Sequence, residues 1–480
     1  MDEQRERELK FDVPDDWAVP NLDPLAESDG DVQVETIQLQ TTYFDTVGRD
    51  LLAHGMTLRR RIGDADVGWQ LKVPEGDART ELRVPLGNGT AVPRDLRDLL
   101  VAVRAGSPLR RAARLDTTRT VHRVLAASGP VLEVADDSVQ ATAFGEAAVL
   151  SEWREAEIEL VNGSEQDLGR AEQLLVKTGA VPAQTTSKLA RALNYARPPV
   201  PPPPDESLGA LVRTYLTTQY DVLIVGDIDL RRGHDVVHPV RVATRRFRSA
   251  LRAFHGAFEA GPATALEGEL RWYAGLLGAV RDHQVLRTHL DDLMRTVPDD
   301  AASARGAARL TRVLDREEAQ ARADLAHAMA GRRYLAMIRD LRACCDAPPL
   351  VDAERPAGDA VLFVEAAQRR EGKRMRNWSQ DGDDDEAMHD ARKAAKRLRY
   401  AAELAGPVLG KQGRKIRKLA KQAQQRLGAA QDGVGASAFL RQVASEGAGG
   451  VNTGFGLGVL WSAEQHRLRT IRSKALRKFG

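Results

Sequence analysis

Residues 197–204 read RPPVPPPP, and that run constrains the chain more than any other feature. Consecutive prolines lack the N–H that a helix or a central strand needs, so the segment favours extended polyproline II and acts as a semi-rigid spacer. The 480 residues are too many for one compact core, and the proline run marks where they divide. We therefore read a first module over 1–196, a linker over 197–204 and a second module over 205–480. Charge divides at the same place. Residues 1–200 carry 24 basic and 33 acidic side chains, a net of −9; the whole chain is +2, which leaves +11 for the remainder. The only cysteines, Cys344 and Cys345, are adjacent. They can build neither a disulfide framework nor a CxxC zinc site, and they suit a reducing cytosol. The opening MDEQRERELKFD is charged, with no apolar signal core, and no apolar run approaches the roughly 20 residues of a membrane span. A cytoplasmic protein without membrane association is expected.

Between Glu6 and Leu160, charged and apolar residues alternate with period two, the mark of strands. Glu6, Glu8 and Lys10 share a face opposite Leu9 and Phe11; Arg59 and Arg61 lie opposite Leu58 and Ile62. Gln70 and Lys72 alternate with Trp69, Leu71 and Val73, Glu81 and Arg83 with Leu82 and Val84, and Glu155, Glu157 and Glu159 with Ala156, Ile158 and Leu160. Residues 91–115 and 164–180 read as helical. The plain interpretation is an antiparallel sheet with one wet face. Ionised residues nevertheless recur on strand after strand, acids in the first and last segments and bases between them. If the sheet closes, these faces point inward. Acids there would hold hard divalent cations, and bases would hold phosphate oxygens.

These residues resemble the CYTH domains, or triphosphate tunnel metalloenzymes. Glu6-Arg7-Glu8-Leu9-Lys10 matches the ExExK signature, followed in order by Tyr43-Phe44-Asp45-Thr46, Leu58-Arg59-Arg60-Arg61, Gln70-Leu71-Lys72, Glu133 to Asp137, Glu155 to Glu159 and Ser187-Lys188. The resemblance implies an eight-stranded antiparallel β tunnel with flanking helices that acts on triphosphates with Mg²⁺ or Mn²⁺. It assigns substrate phosphates to Lys10, Arg59, Arg61, Lys72, Arg119 or Arg123, and Lys188. It assigns metal to Glu6, Glu8, Asp136, Glu157 and Glu159, with Asp137 the alternative to Asp136. The catalytic set is then Glu6, Glu8, Lys10, Glu157 and Glu159. Hydrolysis of inorganic triphosphate, or a related triphosphate, by metal-activated water is the implied reaction. The sequence has neither a GxSxG elbow nor a Walker A loop, so a serine hydrolase and a P-loop ATPase are unsupported.

From Leu208 onward the chain is rich in Ala, Leu, Arg and Glu, with apolar residues at helical spacing, and it repeats itself. His238, Arg241, Arg245, Arg246 and Arg248 recur as His389, Arg392, Lys396, Arg397 and Arg399, 151 residues later. Leu277-Gly278-Ala279 recurs as Leu427-Gly428-Ala429, 150 later. This duplication predicts two helical bundles related by a pseudo-two-fold, over about 208–345 and 358–480. At about 100° per residue, His238, Arg241, Arg245 and Arg248 fall within an arc of about 80°, as do His389, Arg392, Lys396 and Arg399; Arg246 and Arg397 point elsewhere. A solvated helix face is the plain interpretation, but an unbalanced basic stripe repels itself and here occurs twice. Lys411, Arg414, Lys415, Arg417, Lys418 and Lys421 add charge, and an anionic polymer is the natural counterpart. Residues 381–386 read as an inter-helix loop and 447–458 as a glycine-rich connection.

The doubled motif resembles the CHAD domain, a helical domain with conserved histidines. The resemblance implies binding of inorganic polyphosphate through the two stripes, and association with polyphosphate granules. The leading reading is an α+β chain joining a metal-dependent triphosphatase to a polyphosphate-binding module. The alternatives are a non-catalytic polyphosphate-targeting protein and a nucleotide cyclase tunnel. A nucleic-acid partner is not expected, because the basic half lacks clustered aromatics for base stacking.

Overall fold

A computed structural model describes residues 2–26, 30–76, 78–127, 129–196, 207–297, 300–380, 384–447 and 450–476. The chain falls into two compact units, 1–200 and 201–480. The proline linker lies outside the described residues.

The first unit is built on one antiparallel sheet of β1 (Asp2–Glu6), β2 (Glu8–Asp12), β3 (Val32–Asp45), β4 (Thr57–Gly63), β5 (Gly68–Glu75), β6 (Ala78–Val84), β7 (Arg110–Ala126), β8 (Gly129–Ala143), β9 (Val149–Leu160) and β10 (Val181–Pro182). The strand order is β1-β6-β5-β4-β3-β7-β8-β9-β2-β10. The ten-strand ladder replaces the expected eight for two reasons. The ExExK segment is interrupted at Arg7, so its first part pairs with β6 and its second with β9, and β10 adds a two-residue edge.

Period-two alternation sends opposite chemistry to the two sides of this sheet. One side is apolar and covered by helices. Phe11, Val124, Leu132, Val134, Ala156 and Ile158 pack against Leu168, Ala171 and Leu175 of α3 (Glu165–Lys177), with Trp17, Leu22 and Leu25 completing that core. Ser164 begins α3 with a reciprocal capping box to Asp167, a feature worth about 1 kcal/mol. On the other side, which carries Arg59, Arg61 and Arg119, Leu189, Ala190 and Ala192 of α4 (Lys188–Ala192) fill a second core with Tyr43, Leu115, Val139 and Trp153. Two further short helices are α1 (Asp50–Ala53) and α2 (Arg94–Leu99). The helix expected over 91–115 shrinks to that last turn and a half. It ends at Leu100, turns follow to Gly106, and from Arg110 the Ala- and Arg-rich sequence enters β7, with Ala113, Leu115 and Thr117 buried while Arg114, Asp116 and Thr118 face solvent. Strand pairing on both sides overrides helix propensity there.

The second unit is helical: α5 (Leu208–Arg231), α6 (Val237–Ala253), α7 (Ala260–Met294), α8 (Ala301–Met329), α9 (Arg332–Asp346), α10 (Ala360–Gln380), α11 (Asp385–Leu404), α12 (Gly406–Ser445) and α13 (Gly450–Leu476). Its repeats share one interior instead of forming two free-standing bundles. Within each repeat neighbouring helices pack in order, and across repeats α6 packs on α11, α7 on α12 and α8 on α13. Leu290, Leu310, Val313 and Leu314 of the first repeat share a core with Phe439, Leu440, Val443, Leu457 and Leu460 of the second. At the centre, Gly306 of α8 meets Gly456 of α13. A Cβ on Gly306 would lie 2.9 Å from the Gly456 carbonyl carbon, and one on Gly456 would lie 2.1 Å from Ala302 O. These two glycines are 150 residues apart, the offset of the repeat itself.

Two connections differ from expectation. Gly450 begins α13, so most of the glycine-rich segment is helical. Asp384 caps α11 through the N–H groups of Glu386 and Ala387, while residues 381–383 lie outside the described residues. A kink at Gly410 (φ 50°) breaks α12 near its start.

Candidate functional site

The charged side of the sheet lines a cavity of about 220 Å³. Its lining includes Glu6, Glu8, Lys10, Arg59, Arg61, Lys72, Arg119, Glu157, Glu159 and Lys188 from the expected set. Strand register explains the convergence. Lys10 is opposite Glu157 and Glu8 opposite Glu159 across β2 and β9, and Arg59 is opposite Gln70 across β4 and β5. Lys188 enters from the first turn of α4, where Ser187 caps the helix by accepting the N–H of Ala190 at 3.1 Å. Asp45, in the Tyr43-Phe44-Asp45-Thr46 motif, points elsewhere: it accepts the backbone N–H groups of Thr46, Leu51 and Leu52 at 2.7, 2.9 and 3.1 Å. That aspartate shapes a turn and touches no cavity group.

Inside the cavity, charges are heavily cross-linked. Lys188 Nζ lies 2.9 Å from Asp137, 2.5 Å from Glu155 and 2.8 Å from Glu157. Arg119 reaches both Asp137 and Glu157 at 2.6 Å. Lys10 pairs with Glu157 and, at 3.1 Å, with Glu8; Lys72 pairs with Glu6. Burial opposes the Glu8 charge, but Lys10 and Lys72 outweigh it and bring the carboxyl down to about 2. Burial and then its neighbours Arg59 and Arg119 push Arg61 down to about 10. Burial likewise opposes ionisation of Tyr43, yet Arg59, Arg61 and Lys188 hold its phenol below the ordinary value. The cavity is thus electropositive at Arg61, where Arg59 and Arg119 crowd it, while Glu81 offsets Arg59 and Asp137 and Glu157 offset Arg119.

Two expectations need correction. Asp136 is not among the cavity acids: it pairs with Arg154 at 2.7 Å, while its neighbour Asp137 is fully buried and faces Arg119. Arg123 shares the parity of Arg119 but is not itself in the cavity lining; it pairs with Glu35 at 2.8 Å and with the lining residue Glu133 at 2.9 Å. Glu157 pairs with three cations, Lys10, Arg119 and Lys188, and stands with Asp137 and Glu155 in an acidic group whose oxygens are close enough to share an ion. Conversely, Tyr43, Arg79, Arg83 and Glu133 line the cavity, and Glu81 is fully buried with Arg59, Lys72 and Arg83 around it. Arg79, Glu81 and Arg83 were discoverable, since they continue the alternation on β6. Tyr43 was not, because an aromatic in a strand ordinarily signals packing.

In the helical unit, α6 and α11 bring the two stripes together. Lys396 is pushed down to about 7, first by burial and then by Arg392 on its own helix and Arg245 and Arg241 on α6, with Asp282 of α7 opposing. Among the described residues, the buried Nε atoms of Arg245 and Arg392 have no hydrogen-bond partner. Arg241 meets Asp282 at 3.2 Å, and His238 is held below its ordinary value by burial and then by Arg281, Arg245 and Arg241. Arg246 leaves the patch, as its helical position predicts, and lies 2.6 Å from Glu403. His389 and Arg399 stand on α11 with Arg392, although Arg399 is already engaged by Gln424 at 3.1 Å. Side chains of Gly428 to Asp432, in the second Leu-Gly-Ala motif, lie outside the described residues.

Comparison with known families decides the assignment. The CYTH domain model matches residues 4–193, and the CHAD domain model matches residues 214–441. The chain belongs to the CYTH–CHAD proteins. An uncharacterized protein of Mycobacterium tuberculosis is 32% identical over 502 residues, covering 98% of this chain and 96% of that one. Among solved structures, PptA from Streptomyces chartreusis is 21% identical (TM-score 0.49; 57% of this chain, 99% of that chain). The CHAD domain from the plant Ricinus communis is 27% identical (TM-score 0.47; 57% and 92%).

CYTH tunnel enzymes depend on a metal, and acidic side chains gather at two places among the described residues. Asp137, Glu155 and Glu157 approach closely enough to share an ion, but the Lys188 ammonium already sits among them. Glu159 differs. Burial, and after it Glu6, Glu8 and Glu157, raise it to about 7 against the opposing pull of Lys72. Glu6, Glu8 and Glu159 are hard oxygen donors of the kind a divalent cation takes, with Glu6 already paired to Lys72 and Glu8 to Lys10 and Arg79. No helix among the described residues is long and apolar enough to cross a membrane.

Proposed function

We propose that the CYTH domain hydrolyses inorganic triphosphate in a metal-dependent reaction, and that the CHAD domain holds inorganic polyphosphate. One observation carries the first part: the cavity is walled by ions. Tyr43 is the only aromatic and Val161 the only aliphatic side chain in its lining among the described residues. A phosphate chain needs nothing else, whereas a nucleotide base or a thiamine ring would want an apolar platform. Residues 2–12 run from a pairing with β6 to a pairing with β9, an arrangement that suits a closed eight-stranded tunnel.

In this reading Arg59, Arg61, Arg119, Lys10, Lys72 and Lys188 bind and orient the phosphate oxygens and offset the charge that accumulates as the terminal group transfers. Glu6, Glu8 and Glu159 would hold Mg²⁺ or Mn²⁺, which when bound supplies Lewis acidity and a more acidic water. Water adds to the terminal phosphorus, the bridging P–O bond breaks, and diphosphate and orthophosphate leave. The ion pairs among Lys10, Glu157, Lys188 and Asp137 fix the cations before substrate arrives, so little reorganisation remains at the moment of reaction.

The convergence of the α6 and α11 stripes supports the second part. Phosphate release should be assayed from inorganic triphosphate, ATP, thiamine triphosphate and long-chain polyphosphate with Mg²⁺, Mn²⁺ or EDTA. Inorganic triphosphate should be cleaved fastest and EDTA should stop the reaction. Undiminished release in EDTA, or a preference for the organic triphosphates, would refute the proposal.

A further inference from the structure

The two CHAD repeats are alike in fold but opposite in charge at one place. Glu267 on α7 and Arg417 on α12 are 150 residues apart, the offset that relates these helices. In the first repeat, Glu267 lies 2.5 Å from Arg248, the last member of the α6 stripe, and 3.0 Å from Arg271. In the second repeat, the last stripe member Arg399 donates to Gln424 of α12 at 3.1 Å. Counting back from Gln424 by three, seven and ten gives Lys421, Arg417 and Arg414, which therefore lie on the same 80° arc of α12. All three are exposed, and none makes an ion pair among the described residues. The first-repeat stripe thus ends on an acid, and the second-repeat stripe runs on into three free cations.

We infer that Arg414, Arg417 and Lys421 form an exit track on which a polyphosphate chain leaves the two-stripe patch across the second repeat only. The inference rests on the polyphosphate reading above and adds a direction to it. Gln424 joins the track to Arg399 without placing a negative charge in the way. From Arg414 to Gln424 the helix rises about 15 Å, enough for several more phosphates of a chain already held at Arg399. Nothing between Lys411 and Gln424 is aromatic, so the track offers charge and no surface for stacking bases. Glu267 repels a chain on the opposite side. A ligand too short to reach beyond Arg399 cannot feel the track at all.

The test is a binding titration of the full chain with long-chain and short-chain polyphosphate across a salt series. The triple variant R414A/R417A/K421A should keep its helical content, because the three side chains are exposed. Its affinity for long chains should fall about tenfold or more, and its salt slope should drop by about two, from three lost contacts at about 0.7 each. Short-chain affinity should not change. Arg271→Ala, the first-repeat counterpart of Lys421, should leave long-chain affinity as it was. Unchanged long-chain affinity in the triple variant, an equal loss for short chains, or loss of nucleic-acid binding equal to that of polyphosphate would each overturn the exit track. Failure of the unsubstituted chain to bind polyphosphate of any length would instead remove the reading on which it stands.

Discussion

Arg119 and Asp137 form a two-pronged ion pair: Nε donates to one carboxylate oxygen at 2.7 Å and Nη2 to the other at 2.6 Å. Asp137 is fully buried and also receives Lys188, so it compensates two cations. Burial opposes its charge, yet Arg119 and Lys188 hold the carboxyl below the ordinary range. Asp137→Ala should leave Arg119 with Glu157 alone and Lys188 with Glu155 and Glu157, at a cost of about 3 kcal/mol. For a unit of this size that lowers the CYTH unfolding midpoint by roughly ten degrees. Asp136→Ala, which removes only the pair with Arg154, should cost about 1 kcal/mol or less. Differential scanning calorimetry of both variants measures the contrast, and equal losses would reverse the inward and outward placement of the two aspartates.

Removing cavity cations should cost rate before it costs stability. Arg61 sits among Arg59 and Arg119 with burial against its charge, so its loss relieves repulsion in the empty cavity. In the presence of substrate the same loss removes a phosphate partner. Arg61→Ala should lower kcat/KM for triphosphate by about 10²–10³-fold while the unfolding midpoint stays level or rises. A fall in stability with unchanged turnover would show a structural role only.

The glutamates of the signature should separate from the lysine beside them. Glu6→Gln together with Glu8→Gln should abolish phosphate release and weaken Mn²⁺ binding, which can be followed by calorimetry without substrate. Lys10→Ala should reduce turnover and leave Mn²⁺ binding intact or stronger, since it removes a cation from next to Glu8. Identical effects of the two changes on the metal would contradict the division of roles.

Lys396 gives the CHAD patch a proton linkage. Its charge is disfavoured in the free protein, with its folded value lowered from 10.5 to about 7. The unfolded chain therefore holds this proton between pH 7 and 10.5 while the folded one releases it. The resulting stabilisation grows as pH rises from 7 to 10.5, and it is absent below pH 7. A bound polyanion acts the other way by favouring the ammonium. Polyphosphate binding should take up a proton near pH 8, and affinity should decline as pH climbs above 7. Calorimetry in buffers of different ionisation enthalpy reads the proton directly, and Lys396→Arg should abolish it. Absence of proton uptake in the unsubstituted chain would rule this linkage out.

Much of this was legible in the sequence, for physical reasons. Alternation on β2, β4, β5 and β9 placed the ionised face because a period-two pattern has only two phases. Where acids stand side by side, as at Asp136-Asp137, both phases are equally charged and the pattern is silent; only pairing with Arg119 across β7 and β8 decides. Parity equally could not separate Arg119 from Arg123, which point the same way but at different depths. The helix read into 91–115 failed because Ala, Leu and Arg favour helices locally and strand pairing is a long-range fact. In the CHAD half the duplication was visible at the motifs. The charge reversal between Glu267 and Arg417 was equally present in the sequence, but it gained meaning only once Arg248 and Arg399 were seen to reach those helices.

The glycine crossing between α8 and α13 also bears on how the chain is made. Gly306 leaves the ribosome 150 residues before Gly456, and at typical synthesis rates that is a wait of roughly ten to thirty seconds. Throughout that interval α7 and α8 carry Leu290, Leu310, Val313 and Leu314 without the helices that cover them. A nascent CHAD domain therefore spends its longest exposed phase half-synthesised, and the second repeat acts as the delayed lid on the first. Truncations within α12 or α13 should accumulate as aggregates of the first repeat instead of as soluble half-domains.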